Sequence, residues 1–130
     1  MDPTRIGLFD LAERRLAWAE HRQALLAQNI ANASLPGYQP RDVQPFARAL
    51  QRTAAGAPAR TQPGHLAGTA GAASPSDVAL QPKARSPDGN AVALDEQLTK
   101  VADTETTQSM VTAIYKKYLG LFSLAIGHGQ

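Results

Sequence analysis

The amino-acid sequence predicts a mainly α-helical protein in which long N-terminal and C-terminal helices pack as a coiled-coil-like pair, joined by an irregular middle segment rich in Gly, Pro and Ala. Apolar side chains recur three and four residues apart near both ends of the chain, which is the spacing of a helix-packing seam. From residue 53 to residue 90, Ala, Gly and Pro supply 20 of 38 residues. The only large apolar side chains there are Leu66, Val78 and Leu80, too few to offset the entropy of ordering that segment.

The first predicted element is a helix from about residue 4 to residue 33. Its apolar stripe consists of positions alternately three and four residues apart: Phe9, Ala12, Leu16, Ala19, Gln23, Leu26 and Ile30. Leu11, Trp18 and Leu25 widen this stripe on one side. A helix of this length measures about 45 Å, and its one-sided stripe requires a partner helix.

This helix is predicted to end at a turn, the helix-exit motif, made of Asn29, Asn32, Pro36, Gly37 and Tyr38. The two Asn residues lie one turn apart on one helix face, where their amides can satisfy backbone groups at the helix end. Pro36 disfavours the α conformation in the residue before it, and Gly37 supplies the positive φ of a tight turn. Tyr38 is an amphipathic side chain that can fold back on the helix. An ordinary helix–turn junction would have the same pattern.

Beyond the exit, residues 37–52 are predicted to hold an extended stretch, Arg41-Asp42-Val43, followed by a short helix at residues 46–50. Residues 53–90 are predicted to be a flexible variable loop, with at most a short extended piece at residues 77–80. Asp88-Gly89-Asn90 is a turn signal that precedes the last helix. The predicted regions are 1–36 for the N-terminal helix and its exit, 37–52, 53–90, and 91–130 for the C-terminal helix.

The C-terminal helix is predicted from about residue 92 to residue 126. Its seam comprises Leu94, Leu98, Val101, Tyr115, Leu119, Phe122 and Ile126, with polar Glu105, Gln108 and Thr112 in the middle. The last four turns are apolar over a wide arc, which is typical of a helix with more than one neighbour. An antiparallel hairpin that buries one face is the alternative. Because the polar middle and Gly120 weaken the helix, we expect side chains of neighbouring subunits to complete its packing. The residues predicted to make these contacts, here called the assembly seam, are Phe9, Leu16, Leu26, Ile30, Leu98, Val101, Tyr115, Leu119, Phe122 and Ile126.

Composition argues against several classes of function. The net charge is only +2, from 13 basic and 11 acidic residues without a long basic block, so no nucleic-acid partner is predicted. The absence of Cys excludes disulfides and thiolate metal sites. No apolar run reaches the length of a membrane span, and the N-terminal residues lack the pattern of a cleaved signal peptide.

No catalytic constellation is recognisable. His21, His65 and His128 have no Asp or Glu at ligand spacing, which argues against a metal site. The serines lack a nucleophile-elbow setting, and the glycines of residues 64–71 are not followed by Lys and Ser or Thr, as a phosphate-binding loop requires. The sequence therefore predicts neither an enzyme nor a cofactor, and no small-molecule substrate.

The helix-exit motif resembles the N-terminal signature of the bacterial flagellar rod and hook protein family, an Asn-x-x-Asn-x-x-Thr-Pro-Gly-aromatic string. Leu35 stands where that family usually has Thr. Two further stretches resemble the proximal rod branch of the family: Arg41-Asp42-Val43-x-x-Phe46, and Asp88-Gly89-Asn90-x-Val92-x-Leu94-Asp95. The resemblance covers both ends of the chain and is weak from about residue 51 to residue 87, where larger members carry β-rich domains.

This resemblance implies a structural subunit of the proximal rod of the flagellar basal body, assembled helically through its terminal helices, transmitting torque and required for motility. The implied partners are further copies of itself, other proximal rod proteins, inner-membrane ring junction proteins and the flagellar type III export apparatus. The implied location is the rod within the cell envelope, reached by export without a cleaved signal peptide. The alternative is a cytosolic helical-hairpin adaptor or chaperone-like binding protein.

Overall fold

The computed structural model describes residues 7–55, 77–80, 87 and 89–127. These residues form helix α1 (Gly7–Ala31), strand β1 (Arg41–Val43), helix α2 (Phe46–Ala55), strand β2 (Asp77–Ala79) and helix α3 (Leu94–Ile126). The prediction of a mainly α-helical protein with two long terminal helices is confirmed. The extended stretch at β1 and the short extended piece at β2 are also present, and α2 runs about five residues further than the predicted short helix.

Helices α1 and α3 run antiparallel, as their contacts at two levels show. Near one end, the Phe9 and Tyr115 rings meet edge to face with centroids 5.1 Å apart. Near the other, the Asn29 amide nitrogen lies 2.8 Å from the Gln97 side-chain oxygen. Since α3 has 33 residues and α1 has 25, α3 continues well past the level of Phe9.

Strand β1 pairs antiparallel with β2, with Asp42 opposite Val78, and β1 lies beside α1. A small buried cluster of Trp18, Ala19, Leu25 and Val43, with Phe46 packed against it, joins α1 to β1 and to the start of α2. The Trp18 indole Nε1 donates a hydrogen bond of 2.8 Å to the Gln44 carbonyl, so the one polar atom of this large side chain is satisfied. This cluster fixes β1 against α1.

The fully buried side chains of α3 are polar, Gln97 and Thr104, seven residues apart. The Thr104 hydroxyl is satisfied within the helix, donating 2.7 Å to the Lys100 carbonyl. Leu98, one position beyond Gln97, is 54% exposed, because neighbouring residues in an α-helix point about 100° apart. Glu105, adjacent to Thr104, is likewise exposed. Within one chain, therefore, the face of α3 turned toward α1 includes Val101 but not Leu98.

Candidate functional site: the helix-exit junction

Asn29 is the centre of the junction at which α1 ends. Its side chain is completely buried. The amide nitrogen donates to the Arg41 carbonyl (2.7 Å) and to the Gln97 side-chain oxygen (2.8 Å), while the oxygen accepts from the Arg41 N–H (3.0 Å) and the Tyr38 hydroxyl (3.3 Å). Both donors and both acceptor positions of the amide are therefore used. One side chain thus links α1, the start of β1 and α3.

The second Asn of the helix-exit motif has a different environment. The Asn32 amide donates 2.8 Å to the Gln28 carbonyl four residues earlier, in an exposed position. It thus satisfies a backbone group at the end of α1 and makes no contact across the junction. The two Asn side chains are not brought together, although they lie only one helical turn apart in sequence.

The helix-exit turn and the turn before α3 lie against each other. Gly37 and Gly89 have φ angles of 74° and 81°, and a Cβ at Gly89 would lie 3.6 Å from the Gly37 Cα. The Asn90 amide donates to the Ala33 carbonyl, and the Ala91 N–H donates 3.4 Å to the Tyr38 carbonyl. Two sequence motifs about fifty residues apart therefore form one structural unit. Pro36 is exposed at its edge, and Asp88 lies outside the described residues.

A buried carboxylate forms the second link across the junction. Asp42 on β1 accepts two hydrogen bonds from the Arg22 guanidinium, at 3.0 and 3.2 Å, and its second oxygen lies 3.3 Å from the Lys100 ammonium. The Val43 N–H donates a further 2.8 Å bond. Burial alone raises the pKa of Asp42, but the Arg22 hydrogen bonds and charge, the Val43 N–H and the Lys100 charge outweigh it, so the pKa lies below its usual value.

The sequence predicts Asp42 only as part of an extended stretch, and it identifies neither Arg22 and Lys100 as the partners of Asp42 nor Gln97 as the partner of Asn29. The sequence carries no signal for the burial of Asp42, because successive side chains of a strand point to opposite faces. It also does not indicate which of the thirteen basic residues pair with Asp42, since Lys100 lies on a different helix.

The residues of the predicted assembly seam occupy three kinds of environment. Phe9 and Leu26 are buried between the helices. Leu16, Ile30, Val101, Tyr115 and Phe122 are half-buried. Leu98, Leu119 and Ile126 are exposed. Their participation in assembly stays a prediction.

The C-terminal half of α3 has a long exposed apolar surface, here called the distal surface. Its large side chains are all at least 37% exposed: Met110, Ile114, Tyr118, Leu119, Leu121, Leu124 and Ile126. Leu8 and Leu11 of α1 are exposed too, near the same end. Many exposed large apolar side chains within one helical segment are typical of a protein–protein interface.

The described residues contain no group of three or more His, Cys, Asp and Glu side chains that could hold a metal ion. His65 and His128 lie outside them. Within the same part of the chain, no helix is both long enough and apolar enough to cross a membrane.

An antiparallel pair of long helices, closed at one end by a buried polar junction and carrying exposed apolar side chains at the other, defines a helical-hairpin protein. No protein-family model matches the chain. It is 32% identical to the flagellar basal body rod protein FlgB of Agrobacterium fabrum over 122 residues, covering 87% of each chain. It is 31% identical to the FlgB of Salmonella typhimurium, and the match covers 82% of this chain and 83% of the relative. It is 38% identical to the FlgB of Escherichia coli, and that match covers 68% of this chain and 70% of the relative. The chain belongs to the FlgB family of flagellar basal body rod proteins.

Proposed function

We propose that this chain is a structural subunit of the flagellar basal body rod, in its proximal part, and that it assembles helically through its terminal helices. Membership of the FlgB family supports the rod role. The single observation that carries the assembly mechanism is the distal surface of α3. Its apolar side chains have no partner large enough to cover them among the described residues, whereas a second subunit can cover them.

The energetics of the helix pair favour this mechanism. Burying one Leu or Ile side chain is worth about 1.5–3 kcal/mol, and the distal surface exposes several of them. The contact between α1 and α3 inside the chain is only partly apolar, since Asn29, Gln97 and Thr104 occupy buried positions in it. Neighbouring subunits therefore supply much of the apolar burial that the single chain lacks, and the long helices become rigid as the rod forms.

The proposed partners are further copies of this chain, other proximal rod proteins, the junction proteins of the inner-membrane ring and the flagellar type III export apparatus. The proposed location is the rod within the cell envelope, and the proposed consequence is torque transmission for motility. The limited core of the single chain supports export through a narrow channel without cleavage, because such a chain unfolds at low cost. No catalytic role is proposed.

The test is complementation of a strain that lacks this chain. Leu124→Asp places a charge on the distal surface at a side chain that is 74% exposed, so the variant retains the contacts of the hairpin. Ala17→Asp, at an exposed position of α1, is the matched control. We expect basal bodies with complete rods from the control and few from Leu124→Asp. Normal rods in the deletion strain itself would contradict the proposed function.

A further inference from the structure

A second surface of the molecule combines aromatic and cationic side chains. Helix α1, strand β1 and the start of α2 enclose a groove of about 730 Å³, which we call the aromatic groove. Its floor includes Trp18 and Phe46, whose rings meet at 6.1 Å and 64°. Arg15, Arg22 and Arg48 are the cationic side chains along it.

Arg15 occupies the groove without an anion. Its guanidinium carbon lies 4.5 Å from the Trp18 ring centroid and 4.7 Å from that of Phe46. No carboxylate pairs with it in the part of the chain that the structure describes, and burial together with the Arg22 charge lowers its pKa. An arginine stays ionised in such a setting. A planar guanidinium stacked on aromatic faces leaves its N–H edge available for a carboxylate.

The other charges around the groove do not neutralise it. Arg22 and Lys100 share one carboxylate, that of Asp42. Arg48 is exposed and pairs with no carboxylate of the described residues. Among the described side chains that line the groove, Arg15, Arg22 and Arg48 therefore face one carboxylate, that of Asp42. This local excess of positive charge attracts a negatively charged surface.

The chain carries a surface of complementary chemistry on the first half of α3, here called the acidic face. From residue 94 to residue 106 there are four acidic residues and one basic residue, Lys100, which is held by Asp42. Leu94 and Leu98 are 47% and 54% exposed and lie one turn apart. Asp95 is exposed beside them, and Asp103 and Glu105 are exposed further along.

We propose that the acidic face of a second copy of this chain docks in the aromatic groove, with Leu94 and Leu98 against the half-buried Phe46 ring and the Asp95 carboxylate on the Arg15 guanidinium. The proposal rests on the proposed rod function, which supplies many copies side by side. Because the groove and the acidic face are different surfaces of one chain, the contact is heterologous. Repetition of a heterologous contact builds an open helical array, provided that the rotation does not close it into a ring.

The same two residues cannot pair within one chain. Gln97 contacts Asn29, so Asp95 lies near the C-terminal end of α1, fourteen residues from Arg15. At 1.5 Å per residue this separates them by about 20 Å. A charge-swap rescue between Arg15 and Asp95 therefore reports a contact between two copies.

The test uses that rescue in flagellated cells. We expect Arg15→Glu and Asp95→Arg each to reduce the number of complete rods by about tenfold, as opposed charges become like charges at a partly desolvated contact. The double variant Arg15→Glu/Asp95→Arg is expected to restore most of them. Arg14→Glu is the matched control, because Arg14 pairs with Asp10 at 3.0 Å on an exposed part of α1.

A covalent readout locates the contact directly. Since the chain has no Cys, two tagged versions carrying Ala47→Cys and Thr99→Cys, co-expressed in the same cells, are expected to form a mixed disulfide in isolated basal bodies after oxidation. Each version alone is expected to form about a tenth as much dimer. Absence of the mixed disulfide, or failure of the charge swap to rescue, overturns the groove contact. Normal rods in all these variants, combined with none in the deletion strain, would reject the groove contact while leaving the rod function intact.

Discussion

The two ends of the helix pair are held in different ways. At the junction end, buried polar groups are satisfied inside the chain: Asn29 uses all its hydrogen-bonding capacity, and Asp42 is shared between two cations. At the distal end, large apolar side chains of α3 face outward. Hydrogen bonds and ion pairs require particular distances and angles, whereas the hydrophobic effect is not directional. The junction therefore sets the register of the helices, whereas the distal end is where the proposed assembly would add neighbouring subunits.

The largest expected effect comes from a charge placed between the helices. Leu26 is completely buried next to the junction, and Leu26→Asp places a charge in this tightly packed position, at a cost of about 3–5 kcal/mol. We expect rod formation and swimming to be abolished. The neighbouring Ala27→Asp is the control, because Ala27 is exposed. If cells that carry Leu26→Asp swim normally, rod formation does not require an intact packing of the helices at the junction end.

The next effect separates the two Asn residues of the helix-exit motif. Asn29→Leu leaves the Gln97 amide oxygen, the Arg41 N–H and the Arg41 carbonyl without their partner. We therefore expect the free energy of unfolding to fall by about 2–4 kcal/mol. Asn32→Leu removes one exposed local hydrogen bond and is expected to cost less than about 1 kcal/mol. Urea unfolding followed by circular dichroism measures the free energy of unfolding of both variants. Equal losses of unfolding free energy in the two variants would show that Asn29 contributes no more than Asn32 to the stability of the helix pair.

A smaller effect is expected at Asp42, with a defined pH dependence. Because the folded pKa is depressed, the stabilisation from this carboxylate is fully present above its unfolded pKa of about 4 and is lost as the pH falls through the lower folded value. We therefore expect Asp42→Asn to lower stability by a constant amount from pH 5 to pH 8. The difference in unfolding free energy between Asp42→Asn and the wild type should shrink below pH 4. A difference that grows on acidification would contradict the pairing with Arg22 and Lys100.

The smallest effect is expected in the middle segment. Deleting a few residues within 56–71 should leave rod formation and swimming nearly unchanged, because this stretch carries few large apolar side chains to bury. These residues lie outside the described part of the chain, so the prediction comes from the sequence. Swim-zone diameters of several short deletions, each compared with Leu26→Asp, measure it. A severe defect would mean that the variable loop is itself a contact.

The two helices, the strand at residues 41–43 and the strand at residues 77–79 could be predicted from the sequence because their signals are local. The register between the helices could not. Leu98 and Gln97 are adjacent, and apolar spacing favoured Leu98, yet Gln97 is the buried residue because its amide meets Asn29, 68 positions away. The helix-exit motif itself was visible in its residue pattern. Its partners were not, because they depend on how separate elements meet.

The most direct test of the difference between the two ends is amide hydrogen exchange on the purified soluble chain. We expect protection confined to the junction end, at the last turns of α1, at β1 and at the first turns of α3, with fast exchange from about residue 116 to residue 126. The same distal amides should become protected in isolated basal bodies. Strong protection along the whole of both helices in the soluble chain would show that the hairpin is self-sufficient, and would contradict the dependence of the distal end on neighbouring subunits.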